Sequence, residues 1–169
     1  MFTLKPLSKD AVPAAIARAE RYRLLNEPWQ AESICRDVLA VEPDHQAALV
    51  LLILALTDQF DRGISAKDAT DVVAALQGDY ERAYYSGIVE ERRAMALLRQ
   101  ADYRSGHAVH SLFRHAMEWY EKAELLRPPG NDDSVLRWNT CVRVLRRNPH
   151  LGPLQEREHA VQSEAVQSE

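Results

Sequence analysis

Charged and aromatic side chains that could bind an acidic group lie in two separate segments of the chain. The candidate partner-binding residues are Tyr84, Glu91, Arg92, Arg93, Asp133, Arg137, Trp138 and Asn139. Arginine suits this chemistry because its planar guanidinium donates two parallel hydrogen bonds to a carboxylate or a phosphate. The pattern therefore predicts a pocket that holds an acidic side chain or the C-terminal carboxylate of a peptide.

Glu91 gives the same residues a second interpretation. It interrupts an apolar stripe, Tyr84, Ile88, Met95 and Leu98, whose spacing is typical of a helix. A carboxylate on such a stripe has to stay solvated or be paired, because burying it alone is costly. The arginines would then pair with carboxylates of the chain itself and fix the helix register. Buried charges are usually paired, which favours this internal network over a pocket for a partner.

Two histidines are a weaker candidate for a metal site. His107 and His110 stand three residues apart and would share one face of a helix. His115 follows His110 by five residues, about 140° further round the helix. No cysteine or clear carboxylate completes a set of three or four ligands. We therefore expect packed or surface histidines, with no bound metal and no cofactor.

The sequence lacks the patterns of common catalytic sites. It contains no GxSxG, no glycine-rich phosphate loop and no HExxH. Asp132 and Asp133 are adjacent carboxylates, but they precede a predicted helix and are expected to cap it. These observations predict a protein that is not an enzyme.

The composition narrows the class of protein further. Of 169 residues, 46% are hydrophobic and 27% are charged, which is typical of a folded domain. A net charge of −4 argues against general binding to nucleic acids or anionic membranes. Cys35 and Cys141 are too isolated to form a disulfide framework. The most apolar run, 47–56, is too short to cross a bilayer, and no signal peptide is recognisable, so we expect a cytoplasmic protein.

Turn-forming residues divide the chain into segments of helical length. Breaks are predicted at 26–28, 42–44, 62–63, 77–79, 105–106 and 128–131. The segments between them are rich in Ala, Leu, Glu and Arg, and none alternates as a strand would. We expect an all-α protein of about seven helices, including 9–25, 65–76, 80–103, 106–127 and 134–147. Residues 1–150 would form one domain, and 151–169, which holds a direct duplication, a flexible tail.

The first two helical segments carry residues of a known repeat family. Ala19, Tyr22, Ala31 and Pro43 stand at the spacings of a tetratricopeptide repeat (TPR). Small residues occupy the helix crossing, an aromatic ends the first helix, and proline closes the second. The segment 116–128 also resembles the second helix of such a repeat.

The third repeat is irregular. The segment 84–88 resembles a first helix with Gly87 at the crossing, but Gly87 and Ala116 are 29 residues apart. A regular repeat of about 34 residues would separate them by only about 12. Either the two helices are unusually long, or 78–83 is the turn of a repeat in another register.

The resemblance covers 12–147 and implies a right-handed solenoid of helix pairs. Members of the TPR family generally hold a peptide or protein in their concave groove, which implies a non-catalytic interaction module, an adaptor or accessory subunit. Ile16 and Glu20 replace the lysine and asparagine of the clamp that binds chaperone tails, so that mode is not expected. Segments 91–94 and 128–133 resemble compact bacterial TPR proteins, which implies no particular activity.

Two alternatives to a peptide-binding module stay open. The first is a helical protein that binds a small ligand or a metal at the arginine cluster or the histidine pair. The second is a self-assembling structural subunit, whose last helix would present an apolar face of Val135, Trp138, Val142 and Leu145. A homo-oligomer is compatible with either.

Overall fold

The computed structural model describes residues 2–100 and 106–152, and over these ranges the chain forms seven α-helices and no strand. They are α1 (Val12–Leu24), α2 (Pro28–Val41), α3 (Gln46–Thr57), α4 (Ala66–Val73), α5 (Asp79–Gln100), α6 (Gly106–Leu126) and α7 (Asp133–Arg147). Short 3-10 turns lie at Lys9–Ala11, Phe60–Arg62 and Pro149–Leu151. The predicted all-α class and helix number are confirmed for this part of the chain.

Local sequence signals set several helix boundaries. Asn26 has a φ of 61°, the left-handed conformation expected after a helix, and α2 begins directly at Pro28. Ser65 Oγ accepts a hydrogen bond from the Lys67 backbone N–H at 3.2 Å and caps α4, as serine commonly does at this position. However, α4 ends at Val73, three residues before the predicted end.

The start of α7 differs from the prediction. Asp132 occupies the N-cap position but makes no side-chain capping bond. Instead, Asn131 Oδ1 accepts a hydrogen bond from the Asp133 backbone N–H at 2.9 Å. The same oxygen accepts a bond from the Tyr80 hydroxyl at 3.1 Å. Asn131 therefore joins the first turns of α5 and α7.

The helices pack mainly on their neighbours along the chain. In addition, α3 contacts both α1 and α5. The most extensive packing joins α5 and α6, which are 22 and 21 residues long. The wide spacing between Gly87 and Ala116 is therefore explained by two long helices. Gly78 lies in the turn before α5.

Two large apolar clusters and one small one form the core. One large cluster centres on α3, with Leu52, Ile53 and Leu56. The other joins α5, α6 and α7, and a small third cluster lies near the N-terminus. Leu151 is buried in the second large cluster, so the packed domain extends past residue 150, where the tail was predicted to begin. The rest of that tail, 153–169, lies outside the described residues.

None of the helices in the described ranges has both the length and the apolar character that a membrane crossing requires. The apolar run predicted to form a buried helix is α3, which has 12 residues. Most of its side chains are buried because neighbouring helices pack on several sides of it. Its apolar character is therefore explained by the core.

Gly87 allows α5 and α6 to approach closely, as predicted for a residue at the crossing. A Cβ atom at this position would lie 2.5 Å from Cε1 of Tyr120. In an exposed helix, Gly→Ala stabilises by about 1 kcal/mol. Here we expect Gly87→Ala to lower the free energy of unfolding by about 1–3 kcal/mol, because the buried ring has nowhere to move. Urea unfolding followed by circular dichroism measures the change.

Ser86→Ala is the matched control, since Ser86 is the half-buried neighbour on the same helix. Its effect should stay within about 0.5 kcal/mol. A stabilised Gly87→Ala protein would show that α5 and α6 are not as close as described.

Candidate functional site

A buried carboxylate lies at the centre of the predicted site. Glu91 is 5% exposed, and its two oxygens have different partners. Oε2 accepts a hydrogen bond from the Tyr120 hydroxyl at 2.6 Å, and Oε1 is 3.0 Å from Nη2 of Arg137. Tyr84 packs beside this group, with its ring centroid 6.0 Å from that of Tyr120. The network connects α5, α6 and α7.

Other polar atoms of α7 are buried next to this network. Ser134 Oγ, Arg137 Nε and Trp138 Nε1 have no hydrogen-bond partner in the part of the chain that the structure describes. Trp138 packs against the core of α5, α6 and α7, and Asn139 beside it is half-buried. Asp133 is exposed at the start of α7. These residues form the interior and the end of a layer of packed helices.

Arg92 lies in a different place. Its guanidinium donates to Asp58 Oδ1, while Arg23 Nε donates to Asp58 Oδ2 at 2.7 Å. Asp58 caps the C-terminus of α3, and α1 ends at Leu24 beside it. Helix C-termini carry partial negative charge, which cations stabilise. Arg23 and Arg92 therefore neutralise both the Asp58 carboxylate and the partial negative charge of these helix ends. A polar cavity of about 430 Å³ opens next to them.

Arg93 lies in a third environment. Its Nη1 is 3.0 Å from both oxygens of Glu90, on the same helix. The side chain is 41% exposed and lines a cavity between α4, α5 and α6. A surface pair of this kind contributes little to stability.

The carboxylate pocket predicted from Arg92, Arg93 and Arg137 is therefore not formed. Each arginine pairs with a different carboxylate of the chain, and each lies in a different environment. The internal ion-pair interpretation describes Glu91 and Arg137. Tyr84 and Trp138 pack in the same cluster of α5, α6 and α7, while Asn139 is half-buried on α7.

The histidines are not part of a metal cluster in the described ranges. No group of three or more His, Cys, Asp or Glu is arranged there to hold a metal ion. His107 is exposed, whereas His110 is half-buried and lines a shallow cavity beside α7.

An apolar groove that could hold another molecule lies between α4 and α6. We call it the α4–α6 groove. Its wider part is a cavity of about 650 Å³. Apolar side chains dominate its lining, namely Val73, Ala74, Ala83, Trp119, Leu125 and Leu126. Leu125 is 87% exposed and Leu126 50%, which is unusual for leucines at the end of a well-packed helix.

The groove continues along α5. A second cavity of about 630 Å³ is lined by Ile64, Ala66, Ala96, Leu97 and Leu112, among others, and shares Thr70 with the first. Both α4 and α6 pack on α5 but hardly touch each other. The two cavities therefore lie side by side over α5, in the gap between α4 and α6.

Sequence reasoning missed this groove. Trp119, Leu125 and Leu126 were not among the candidate partner-binding residues. A signal was present, since Leu112, Trp119 and Leu126 recur every seven residues and share one face of α6, next to its buried stripe of Phe113, Tyr120 and Ala123. Apolar residues beside the buried stripe of a helix indicate a surface that contacts something else.

Burial also raises the pKa of several groups around Glu91. It raises the pKa of the Tyr84 hydroxyl to about 12 and that of the Cys141 thiol to about 12, and Glu91 adds to the second effect. Burial, together with the Glu91 carboxylate, raises the pKa of Tyr120 as well. Burial alone would lower the pKa of Arg137, but Glu91 and Tyr120 raise it overall.

Removing the Glu91 carboxylate should leave Arg137 without its partner. Because Arg137 is only 30% exposed, we expect Glu91→Ala to lower the free energy of unfolding by about 3 kcal/mol. Adding Arg137→Met should recover part of that loss, since the uncompensated charge is then gone. Urea unfolding measures both. Arg93→Ala, which breaks a more exposed pair, should cost less than about 1 kcal/mol; equal losses for the two alanine variants would contradict the buried network.

The raised pKa values predict a loss of stability at alkaline pH. Tyr84, Tyr120 and Cys141 keep their protons in the folded chain, whereas the unfolded chain releases them from about pH 8.5 to 10. The folded state then binds more protons, so the free energy of unfolding should fall as the pH rises above about 9. Urea midpoints measured between about pH 8 and 11 test this.

Tyr120→Phe removes one of these groups and should make the alkaline loss less steep. Tyr22→Phe, on α1, is the control for replacing a half-buried tyrosine outside the network. If both variants lose stability as steeply as the wild type, Tyr120 does not contribute to the alkaline effect.

Comparisons with protein-family models, with curated proteins and with solved structures find no match for this chain. They therefore supply no family membership and no activity. The resemblance to tetratricopeptide repeats remains a prediction from the residues at 19, 22, 31 and 43 and from the segments 84–88 and 116–128.

Proposed function

We propose that this protein is a non-catalytic interaction module, an adaptor or accessory subunit, that binds a partner protein in the α4–α6 groove. The observation that carries the proposal is the exposure of Leu125 and Leu126, beside the half-buried Trp119, around a cavity of about 650 Å³. Contiguous exposed apolar side chains in a concave surface are typical of sites where another protein packs.

The shape of the groove favours a helix as the bound element. The groove is bounded by two helices that pack on the same third helix but hardly contact each other. A helix laid between α4 and α6 would bury both apolar walls at once, as amphipathic helices do in other hydrophobic grooves. Leu125 and Leu126 would then lose most of their contact with water.

The groove is not the surface that the TPR resemblance implies. We propose that α1 to α6 form three TPR-like helix pairs in a right-handed solenoid. The contacts of α3 with α1 and α5, and the close approach of Gly87 to Tyr120, support this arrangement. In such a solenoid α4 and α6 are second helices, whereas the concave groove is made by the first helices. The proposed docking surface therefore lies on the other side of the stack.

The self-assembly alternative has less support from α7 than the sequence indicated. Trp138, Val142 and Leu145 pack against the core of α5, α6 and α7 instead of forming a free face. Leu136 is the large apolar residue that α7 does expose. We therefore propose a different protein as the partner. A second copy of the chain in the α4–α6 groove would be detected as a crosslinked dimer in the test below.

Site-specific photocrosslinking in the cells that express the chain tests the proposal. A photoreactive amino acid replaces Leu126, inside the groove, or Glu124, an exposed residue on the same helix. Two residues correspond to about 200° around a helix, so the two positions face nearly opposite directions. We expect a discrete crosslinked partner from position 126 that position 124 does not give.

Trp119→Ala, introduced together with the photoreactive residue at 126, should weaken that product, because it removes the largest apolar side chain of the groove. Mass spectrometry of the product identifies the partner. Equal products at both positions, or none at 126, would reject the groove as a docking surface. A crosslinked dimer of the chain would support the self-assembling subunit instead.

A further inference from the structure

We infer that the partner element of the α4–α6 groove is an acidic amphipathic helix, with carboxylates flanking its apolar stripe. This inference rests on the proposed function and adds the chemistry of the partner. It follows from the charges that line the groove, from the one cation among them that has no carboxylate partner, and from the length of the groove.

The groove lining is cationic on a chain that is acidic as a whole. The two cavities are lined by four cationic side chains, Lys67, Arg82, Arg93 and Lys122, and by a single anionic one, Asp79. The chain as a whole carries a net charge of −4. Charges of one sign concentrated on one face select partners of the opposite sign.

Most of these cations are held by acidic neighbours. Lys67 pairs with Asp71 and Arg93 with Glu90, while Arg82 pairs with Asp79. Arg82 also donates to the backbone carbonyls that precede α5. The pair at Lys67 is exposed, so it is weak and exchangeable, whereas the pair at Arg93 is part-buried.

Lys122 differs from the other cations. Its Nζ lies 4.2 Å from the centre of the Trp119 ring, and none of the described carboxylates pairs with it. The ammonium therefore sits at the edge of the apolar cavity, over its largest side chain. A carboxylate beside the apolar stripe of a docked helix would meet it there, whereas a lysine at that place would meet a like charge.

The length of the groove matches a helix of several turns. Its lining extends along α5 from Asp79 to Gln100. At 1.5 Å per residue this is roughly 32 Å, enough for a helix of about 20 residues. Cationic side chains line both cavities, so a helix of that length would meet cations in each of them, with Lys122 near one end.

Fluorescence anisotropy with synthetic peptides tests the sign of the charge. Two labelled 20-residue amphipathic helices share one leucine stripe and differ only in flanking glutamates or lysines. We expect the glutamate peptide to bind the wild-type chain at least about tenfold more tightly, and added salt to reduce this preference. Lys122→Glu should remove or reverse the preference.

Glu124→Lys is the matched charge change, since it lies on the same helix about 200° away from Lys122. It should leave the ratio of the two affinities nearly unchanged. Circular dichroism and the urea midpoint confirm that both variants fold. A ratio near one in the wild type, or a ratio that Glu124→Lys shifts as much as Lys122→Glu, would overturn the acidic-helix inference.

Leu126→Glu separates this failure from failure of the groove itself. If both peptides bind equally and Leu126→Glu abolishes both, the groove docks a helix without regard to charge, and only the inference fails. If neither peptide binds, or if Leu126→Glu has no effect, the groove is not the docking surface, and the proposed function fails with it.

Discussion

The buried carboxylate of Glu91 constrains how half of the molecule can pack. It is the only charged residue that is fully buried in the described ranges, and it meets Tyr120 on α6 and Arg137 on α7. An unpaired carboxylate in that position would be strongly unfavourable, so the three helices are stable only in a register that brings both partners to it. Gly87, one turn earlier on α5, supplies the room that the Tyr120 ring needs.

Fixing Glu91 also fixes the directions of its neighbours. Successive residues of a helix are about 100° apart, so Arg92 and Arg93 project about 100° and 200° away from Glu91. Once Glu91 faces α6 and α7, Arg92 reaches Asp58 at the end of α3, and Arg93 reaches the α4–α6 groove. Glu91, Arg92 and Arg93 are consecutive in the sequence, but their side chains face three different parts of the structure.

This geometry shows what the sequence could and could not predict. Helix existence and several boundaries follow from local signals such as Asn26, Pro28 and Ser65, and these predictions are confirmed. An internal ion-pair network around Glu91 was one of two open alternatives, with Arg92, Arg93 or Arg137 as the partner. Spacing along α5 shows that a charge lies on an apolar stripe but not which helix faces it. The grouping of Arg92 and Arg93 with the Glu91–Arg137 pair was wrong, although helical geometry alone separates them.

The groove depends on a mismatch of helix lengths, which the predicted bounds 65–76, 80–103 and 106–127 already contained. Because α4 has 8 residues while α5 and α6 have 22 and 21, α4 cannot cover the length of α5 that α6 leaves open. The consequence is a gap whose apolar walls are solvated in the isolated chain. Each leucine left in water there forgoes up to about 1.5–3 kcal/mol of burial free energy, which a docked helix would recover. Lys122 lies over Trp119 at the edge of this gap, so the proposed preference for an acidic helix depends on a cation held directly against the apolar wall.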